Sequence, residues 1–365
     1  MTDDVNAAID EVLDLYINDE DINIENFHLY ANKKKREDIE LLSTISDPMI
    51  SRNAERLVND AYTNERVSST TLDTIKHNLK EYMINLFSRS VSHEDPLGVI
   101  GIGCPGSGKS ITQLISLAIL CSEKVGGDSR SMLEQHLLNH GIRYSRHRDA
   151  YDVNNVIDML GIIGYLNDFI ITHRGEYVTI DQDDIIQYFF NLNEFRPIVF
   201  GITSELFTIA LRGRRDIIYA STGKDPSHIK DGVFNEFHNY GYNAVLKTSA
   251  THVTRTTSVI LSVMDTALPL CKEQILTRCV DNYKKGKIGR FILDKFFNPM
   301  CADVNQYMAY YKKTYYTNNY IRTDMSRGKG KGAKYKFNTG KLRKIKTKHA
   351  RRNKKNTVKK IKNVF

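Results

Sequence analysis

Leu97-Gly98-Val99-Ile100-Gly101-Ile102-Gly103-Cys104-Pro105-Gly106-Ser107-Gly108-Lys109-Ser110 is the stretch whose reading decides the fold. Leu97–Ile102 is apolar without a polar face, the pattern of a strand buried on both sides in a parallel sheet. Ser110–Cys121 (SITQLISLAILC) has the apolar density of a core-facing helix. Between them, Gly103–Ser110 satisfies G-x-x-x-x-G-K-[ST] at every position, in the strand-before, helix-after context that motif requires. Glycines at 103, 106 and 108 free the backbone to turn successive N–H groups inward around a phosphate. The new helix adds its N-terminal dipole. Lys109 is then placed to reach β- and γ-phosphates, and the Ser110 hydroxyl to ligate Mg²⁺. The expected ligand is a nucleoside triphosphate, ATP or GTP, with Mg²⁺, and the expected fold is a P-loop α/β sheet flanked by helices.

Upstream, residues 1–95 read as a helical region. Its clearest element is Thr71–Phe87, where Leu72, Ile75, Leu79, Met83 and Leu86 recur every three or four residues, with N-cap candidates at Ser68–Thr71. Asp95-Pro96 separates this region from the glycine strand. Downstream, residues 96–321 read as the sheet-bearing domain. Gly126–Ser129 is a loop, Ser131–His140 a helix, and Tyr144–Asp152 too charged for the core. A helix follows over Val153–Leu166. Tyr177–Ile180, Arg215–Ala220 and Asn243–Thr248 are strand candidates, with helical length over Pro226–Tyr240 between the last two. Lys272–Lys285 and Phe291–Tyr311 read as later helices, and Tyr307–Tyr320 as a packing stripe. No internal repeat is visible.

Charge divides the chain sharply. Residues 322–365 hold 18 Lys/Arg and a single acid, a net +17; the whole chain is +9, so residues 1–321 carry −8. A basic segment without an apolar period is expected to be disordered when free and to bind RNA, DNA or another polyanion through counterion release. It also has the composition of a nuclear address. The acidic N-terminus lacks the apolar run of a secretory signal, and no stretch approaches the roughly 20 residues of a membrane helix. The expected compartment is intracellular and cytoplasmic, or nuclear in a eukaryotic host. Five scattered cysteines without a C-x-x-C read as reduced thiols. His136 and His140, four apart, lack the glutamate of an H-E-x-x-H site and read as packing or surface residues, as do His147 and His173. A GTPase's Asn-Lys-x-Asp is absent, and Tyr177–Asp184 (YVTIDQDD) fits a helicase or motor strand poorly.

That last segment carries a resemblance. A G-x-P-G-S-G-K-[ST] loop followed by a strand ending in I-D-x-D resembles the zeta-toxin family of small-molecule kinases; here these are Gly103–Ser110 and Ile180-Asp181-Gln182-Asp183. The resemblance implies transfer of a γ-phosphoryl group to a hydroxyl, with Lys109 as phosphate lysine and Asp183 as catalytic base. Asp181 would alternatively orient a Mg²⁺-bound water, and either aspartate would also serve as a helix N-cap. It further implies a substrate-cleft role for Glu205, in Ser204-Glu205-Leu206. The family's strand-plus-turn is matched by Asp216–Ala220 with Ser221-Thr222-Gly223-Lys224, which brings in Thr222. Arg278 and Arg290, twelve apart, match two arginines that hold the γ-phosphate. The family would also imply an antitoxin-like helical partner. Ala220 stands where the family usually has Glu, the basic tail is outside the pattern, and the long spacing before Asp181 implies a helical insertion at about 123–175. The acceptor would be a nucleotide sugar, a nucleoside or a nucleic-acid end. A different class is also open: an NTPase recruited to nucleic acid by the tail, for remodelling, packaging or end-processing. So is a nucleotide-binding scaffold with degraded chemistry.

Overall fold

The glycine strand lies at the centre of a sheet, as its two-sided apolarity requires. A computed structural model describes residues 2–18, 20–147, 150–243, 258–292, 297–298, 301 and 320–325. Helices α1 (Thr2–Tyr16), α2 (Ile24–Ser43), α3 (Pro48–Arg52), α4 (Ala54–Asn64) and α5 (Leu72–Ser88) come first, with a 3₁₀ turn at Val67–Ser69. Then follow β1 (Gly98–Ile102), α6 (Lys109–Val125), α7 (Ser129–Asn139), β2 (Arg143–Ser145), β3 (Ala150–Asp152), α8 (Met159–Arg174), β4 (Val178–Ile180) and α9 (Gln182–Ile186). The remainder is α10 (Arg196–Arg212), β5 (Ile217–Ser221), a π-helical turn His228–Phe234 running into α11 (Asn235–Asn239), β6 (Val259–Thr266), α12 (Leu268–Lys284) and β7 (Tyr320–Met325).

The seven strands lie in the order β2-β3-β7-β6-β1-β5-β4. All neighbours are parallel except the hairpin β2–β3. This is an α/β architecture with a mostly parallel sheet between helical layers. Alternation along β1 feeds both layers. Val99, in register with Ile218 and Ile260, packs with α6, α7 and α8. Ile100, in register with Tyr219 and Leu261, packs on the other face with α10, α12 and the N-terminal helices. Residues 1–95 therefore share one continuous core with the sheet. The predicted stripe of α5 supplies buried Ile75, Leu79 and Met83 to it, with Leu72 and Leu86 only partly buried and Phe87 joining the core instead. Thr71 caps the helix by accepting the Thr74 N–H at 3.2 Å.

Several expectations need correction. The segment 123–175 is not purely helical: between α7 and α8 it contributes β2 and β3 to the sheet edge. Tyr144–Asp152 reads as too charged for the core, yet Ala150 and Tyr151 are buried, because β3 is held between β2 and β7 and only β2 lies at the sheet edge. Helix α8 starts six residues later than Val153, where the Asp158 carboxylate caps it by accepting the Gly161 N–H at 2.9 Å. The crossover that leaves β5 ends in β6. The strand expected at Asn243–Thr248 lies, but for Asn243, outside the described residues, as do most of the Phe291–Tyr311 helix and the Tyr307–Tyr320 stripe. Strand β7 runs past residue 321, so 322–325, read as the start of the tail, belong to the sheet; residues beyond 325 are outside the description. Among the described residues no helix is long and apolar enough to cross a membrane.

Candidate functional site

The loop between β1 and α6 begins where Ile102 lies in register with Ser221 on one side and Val263 on the other. This is the carboxyl end of a parallel sheet, at the strand where chain order reverses direction, the usual ligand position in such folds. Gly106 and Gly108 both take positive φ, +73° and +88°. At Gly106 a Cβ would also stand 2.4 Å from the Cys271 carbonyl oxygen, so α12 presses directly on the loop. The loop is pinned from within and behind. The Ser107 N–H donates to the Cys104 carbonyl at 3.0 Å, and the Thr266 hydroxyl donates to the Ser107 carbonyl at 2.8 Å. Lys109 folds back so that Nζ donates to the Gly103 carbonyl at 3.2 Å. The Ser107 hydroxyl is buried with no hydrogen-bond partner, an orphan polar atom inside the cradle. Ser110 is exposed in the first turn of α6, a 17-residue helix whose leading N–H groups have no helical acceptor.

A second group of charges forms at the end of β4. Asp181 is the N-cap of α9, its carboxylate accepting the Asp183 N–H at 2.9 Å. Asp183 is ion-paired with Arg290. Partial desolvation pushes the Asp183 carboxyl up, but Arg290 beside it, aided by Lys109 and Arg196, outweighs this and holds it below the usual carboxylate range. Burial and the charge on Asp183 raise Asp181, against the pull of Lys109. Asp184 has no cation to relieve it: burial, then Asp181 and Asp183, push it up to about 7.

One cleft of about 710 Å³ gathers Pro105 and Gly106 from the loop with Asp183, Arg278 and Arg290. Five predicted site residues from four distant stretches of sequence thus meet. Lys109 and Ser110, the loop residues Gly103, Ser107 and Gly108, and Asp181, Glu205 and Thr222 do not line this cleft. Glu205 is half-buried within α10, and Thr222 is half-buried just after β5. Ala220, facing Gly101 in register, leaves no carboxylate on that strand end. His136 stacks on Tyr165 and His140, with ring centroids 3.3 and 4.3 Å apart, in keeping with packing residues. Among the described residues no group of three His, Cys, Asp or Glu side chains is placed to hold a metal ion by itself.

Sequence reasoning missed what builds the rest of the site. The helical layer supplies one wall of the cleft through residues 64–78. It also fixes the segment carrying Arg290: Glu65 accepts the Ile288 N–H at 2.9 Å, and Asn191 donates to the Ile288 carbonyl at 3.2 Å. At the end of β6, next to the glycine strand, Asp265 pairs with Arg322 of β7. The apolar run Ser258–Met264 ending in that aspartate was a legible signal. Cys104 sits in the loop against Cys271 and Cys301, all three free and buried, and hydrogen bonds from these thiols lower its own. No family model matches the sequence, and no curated protein matches it either.

Proposed function

We propose that this chain is an ATP- and Mg²⁺-dependent phosphotransferase of the zeta-toxin-like P-loop type, moving a γ-phosphoryl group to a hydroxyl. The observation that carries the proposal is the meeting of Pro105 and Gly106 of the glycine loop with Asp183, Arg278 and Arg290 on one cleft at the carboxyl end of the sheet. The orphaned Ser107 hydroxyl and the positive-φ glycines fit a phosphate seated in the loop. For Mg²⁺, the exposed Ser110 hydroxyl and a water on Asp181 are the available holders. An ion that keeps several waters and leans on substrate phosphates needs no larger protein cage. When bound, Mg²⁺ supplies neutralisation of phosphate charge.

Phosphoryl transfer leaves the protein chiefly positioning and electrostatics. Lys109 would exchange the Gly103 carbonyl for phosphate oxygens. Arg290 would exchange Asp183 for the γ-phosphoryl oxygens, which its planar fork can grip in pairs. Freed in that step from the cation that depresses its pKa, Asp183 would become the better base and would accept the acceptor's hydroxyl proton. With Ala220 in place of a carboxylate, the acceptor must be held by other groups.

A second reading has its own observation. Residues 326–365 hold 17 Lys/Arg and no acid, so an NTPase recruited to nucleic acid remains its rival. The test is a transfer assay with γ-labelled ATP and Mg²⁺ on wild type, Asp183→Asn and a chain stopped after Met325. Nucleotide sugars, nucleosides and 5′-hydroxyl RNA and DNA would be offered as acceptors. Label on an acceptor, lost with Asp183→Asn and kept without the tail, is the expected result. Label released only as phosphate, and only with nucleic acid and the tail present, would favour the rival. Absence of both would overturn the two readings together.

A further inference from the structure

The helical layer forms one wall of the cleft, and the charges lining the cleft are unbalanced. Among the described residues two acids line the cleft: Glu65 accepts the Ile288 N–H and feels the charge of Lys287 at longer range, and Asp183 is paired with Arg290. Three further cations line it, Arg66, Arg278 and Lys287, and among the described residues none has a carboxylate within ion-pairing distance. Low-dielectric walls focus such a field and draw anions into the cleft. The glycine loop contributes only Pro105 and Gly106 to this lining, and a cavity of about 710 Å³ is of the size that takes a small molecule.

Arg66 adds an independent sign. It joins α4 to the 3₁₀ turn with φ at +53°, a left-handed conformation uncommon for any residue but glycine or asparagine. Its N–H donates to the Thr63 carbonyl at 3.0 Å, and its own carbonyl accepts the Ser69 N–H at 3.0 Å and the Thr70 hydroxyl at 3.2 Å. The backbone is thus locked in a strained turn that carries an exposed guanidinium, which lines the cleft and a smaller neighbouring pocket. Strain of this kind concentrates where a side chain has a task.

We propose that residues 64–78 form a second anion-binding subsite of the cleft, with Arg66 as its specificity-determining residue, so that the phosphoryl acceptor is a small hydroxyl compound already bearing an anionic group. The acceptor role rests on the phosphotransfer reading; the anion site does not. Arg66 and Lys287 hold the anion, and neighbouring amides such as Asn78 are placed to bond hydroxyls. The acceptor's reactive hydroxyl then points to Asp183, at the end nearer Gly106.

The experiment is calorimetric titration of the full chain, with the loop saturated by a non-hydrolysable ATP analogue. The probes are glycerol 3-phosphate, glycerate and glycerol, so that phosphate, carboxylate and neutral forms of one hydroxyl skeleton are compared. Binding of at least one anionic probe, with glycerol at least tenfold weaker, is expected. Arg66→Gly, which relaxes the backbone while deleting the guanidinium, should weaken the anionic probe tenfold or more, and Arg66→Lys by less. Neither variant should change affinity for the ATP analogue. Phosphate preferred over glycerate identifies a phosphomonoester acceptor, and the reverse a carboxylate. Equal binding of glycerol, no binding of either anion, or an Arg66→Gly variant with wild-type affinity would each overturn the proposal. Failure of the ATP analogue to bind wild type would instead count against the phosphotransfer reading, with the anion titration still deciding the subsite.

Discussion

The Lys34 ammonium donates to the Gly289 carbonyl at 3.0 Å, so a helix near the start of the chain holds the residue next to Arg290. Lys34 is itself paired with Asp38, which is nearly buried and also accepts from the Tyr62 and Tyr283 hydroxyls. Helix α2 is tied in this way to α4, to the end of α12 and to the cleft. Removing one partner of a buried pair strands the other, at about 3–5 kcal/mol. Lys34→Met should therefore destabilise the fold by about that amount in denaturant unfolding. Adding Asp38→Asn should recover part of the loss, because the stranded charge is gone. Strict additivity of the two single changes would show that the pair is not coupled.

The central strand, the glycine loop and the helix after it were legible because each obeys a local rule: two-sided apolarity, a fixed motif, dense apolar content. Asp183 and Arg290 are implied only by the resemblance to a kinase family, and nothing in the sequence shows that they would pair. Arg66 and Lys34 could not be read as site residues. Their relevance arises from tertiary packing that brings residues 34 and 289 together, and no periodicity encodes such a contact. Strand β6 (Val259–Thr266) is apolar along Val259–Met264, but no Gly or Pro bounds that run to mark it as a strand. Strand β2 hid because an edge strand is held by backbone pairing and tolerates charge.

Gly106→Ala should disable the loop with little effect on the rest of the sheet. The new methyl group would meet the Cys271 carbonyl, a backbone atom that cannot step aside, at a φ that L-residues rarely adopt. A local cost on the order of 1–3 kcal/mol follows from the backbone conformation alone. Fluorescent ATP-analogue binding should be lost or fall at least tenfold, with far-UV circular dichroism unchanged. Wild-type affinity in this variant would mean that the loop is not where nucleotide binds.

Asp184 makes a pH prediction in metal-free buffer. In the unfolded chain an aspartate titrates near ~3.9, whereas in the fold burial and then Asp181 and Asp183 push this one up to about 7. Between those values the folded state holds the proton more tightly than the unfolded state. The stability it contributes is therefore complete below about pH 4, falls as pH rises and is gone above about pH 7. Asp184→Asn should raise Tm at pH 8, by about a third as much at pH 5, and leave it nearly unchanged below about pH 4. Three units set an upper bound of about 4 kcal/mol, which partial solvent contact reduces. A gain that is the same at pH 8 and pH 5 would contradict the assignment.

Asp216 should be the costliest acid in the chain to remove, and the reason is register. It is 1% exposed and accepts from Arg174 at 2.8 and 2.9 Å through both oxygens, and from the Leu97 N–H at 2.7 Å. One side chain at the start of β5 thereby fixes the residue before β1 and the end of α8, which sets Gly98 opposite Ile217 and, four pairs on, Ile102 opposite Ser221 at the mouth of the loop. Asp216→Ala would leave the Arg174 guanidinium buried without its main partner, at about 3–5 kcal/mol. Asp95 also contacts Arg174, but it is 53% exposed, and Asp95→Ala should shift stability by less than about 1 kcal/mol. Urea unfolding of the two variants separates these outcomes. Similar losses in both would mean that Arg174 is held by solvent-facing charge, and that the β1–β5 register depends on apolar packing alone.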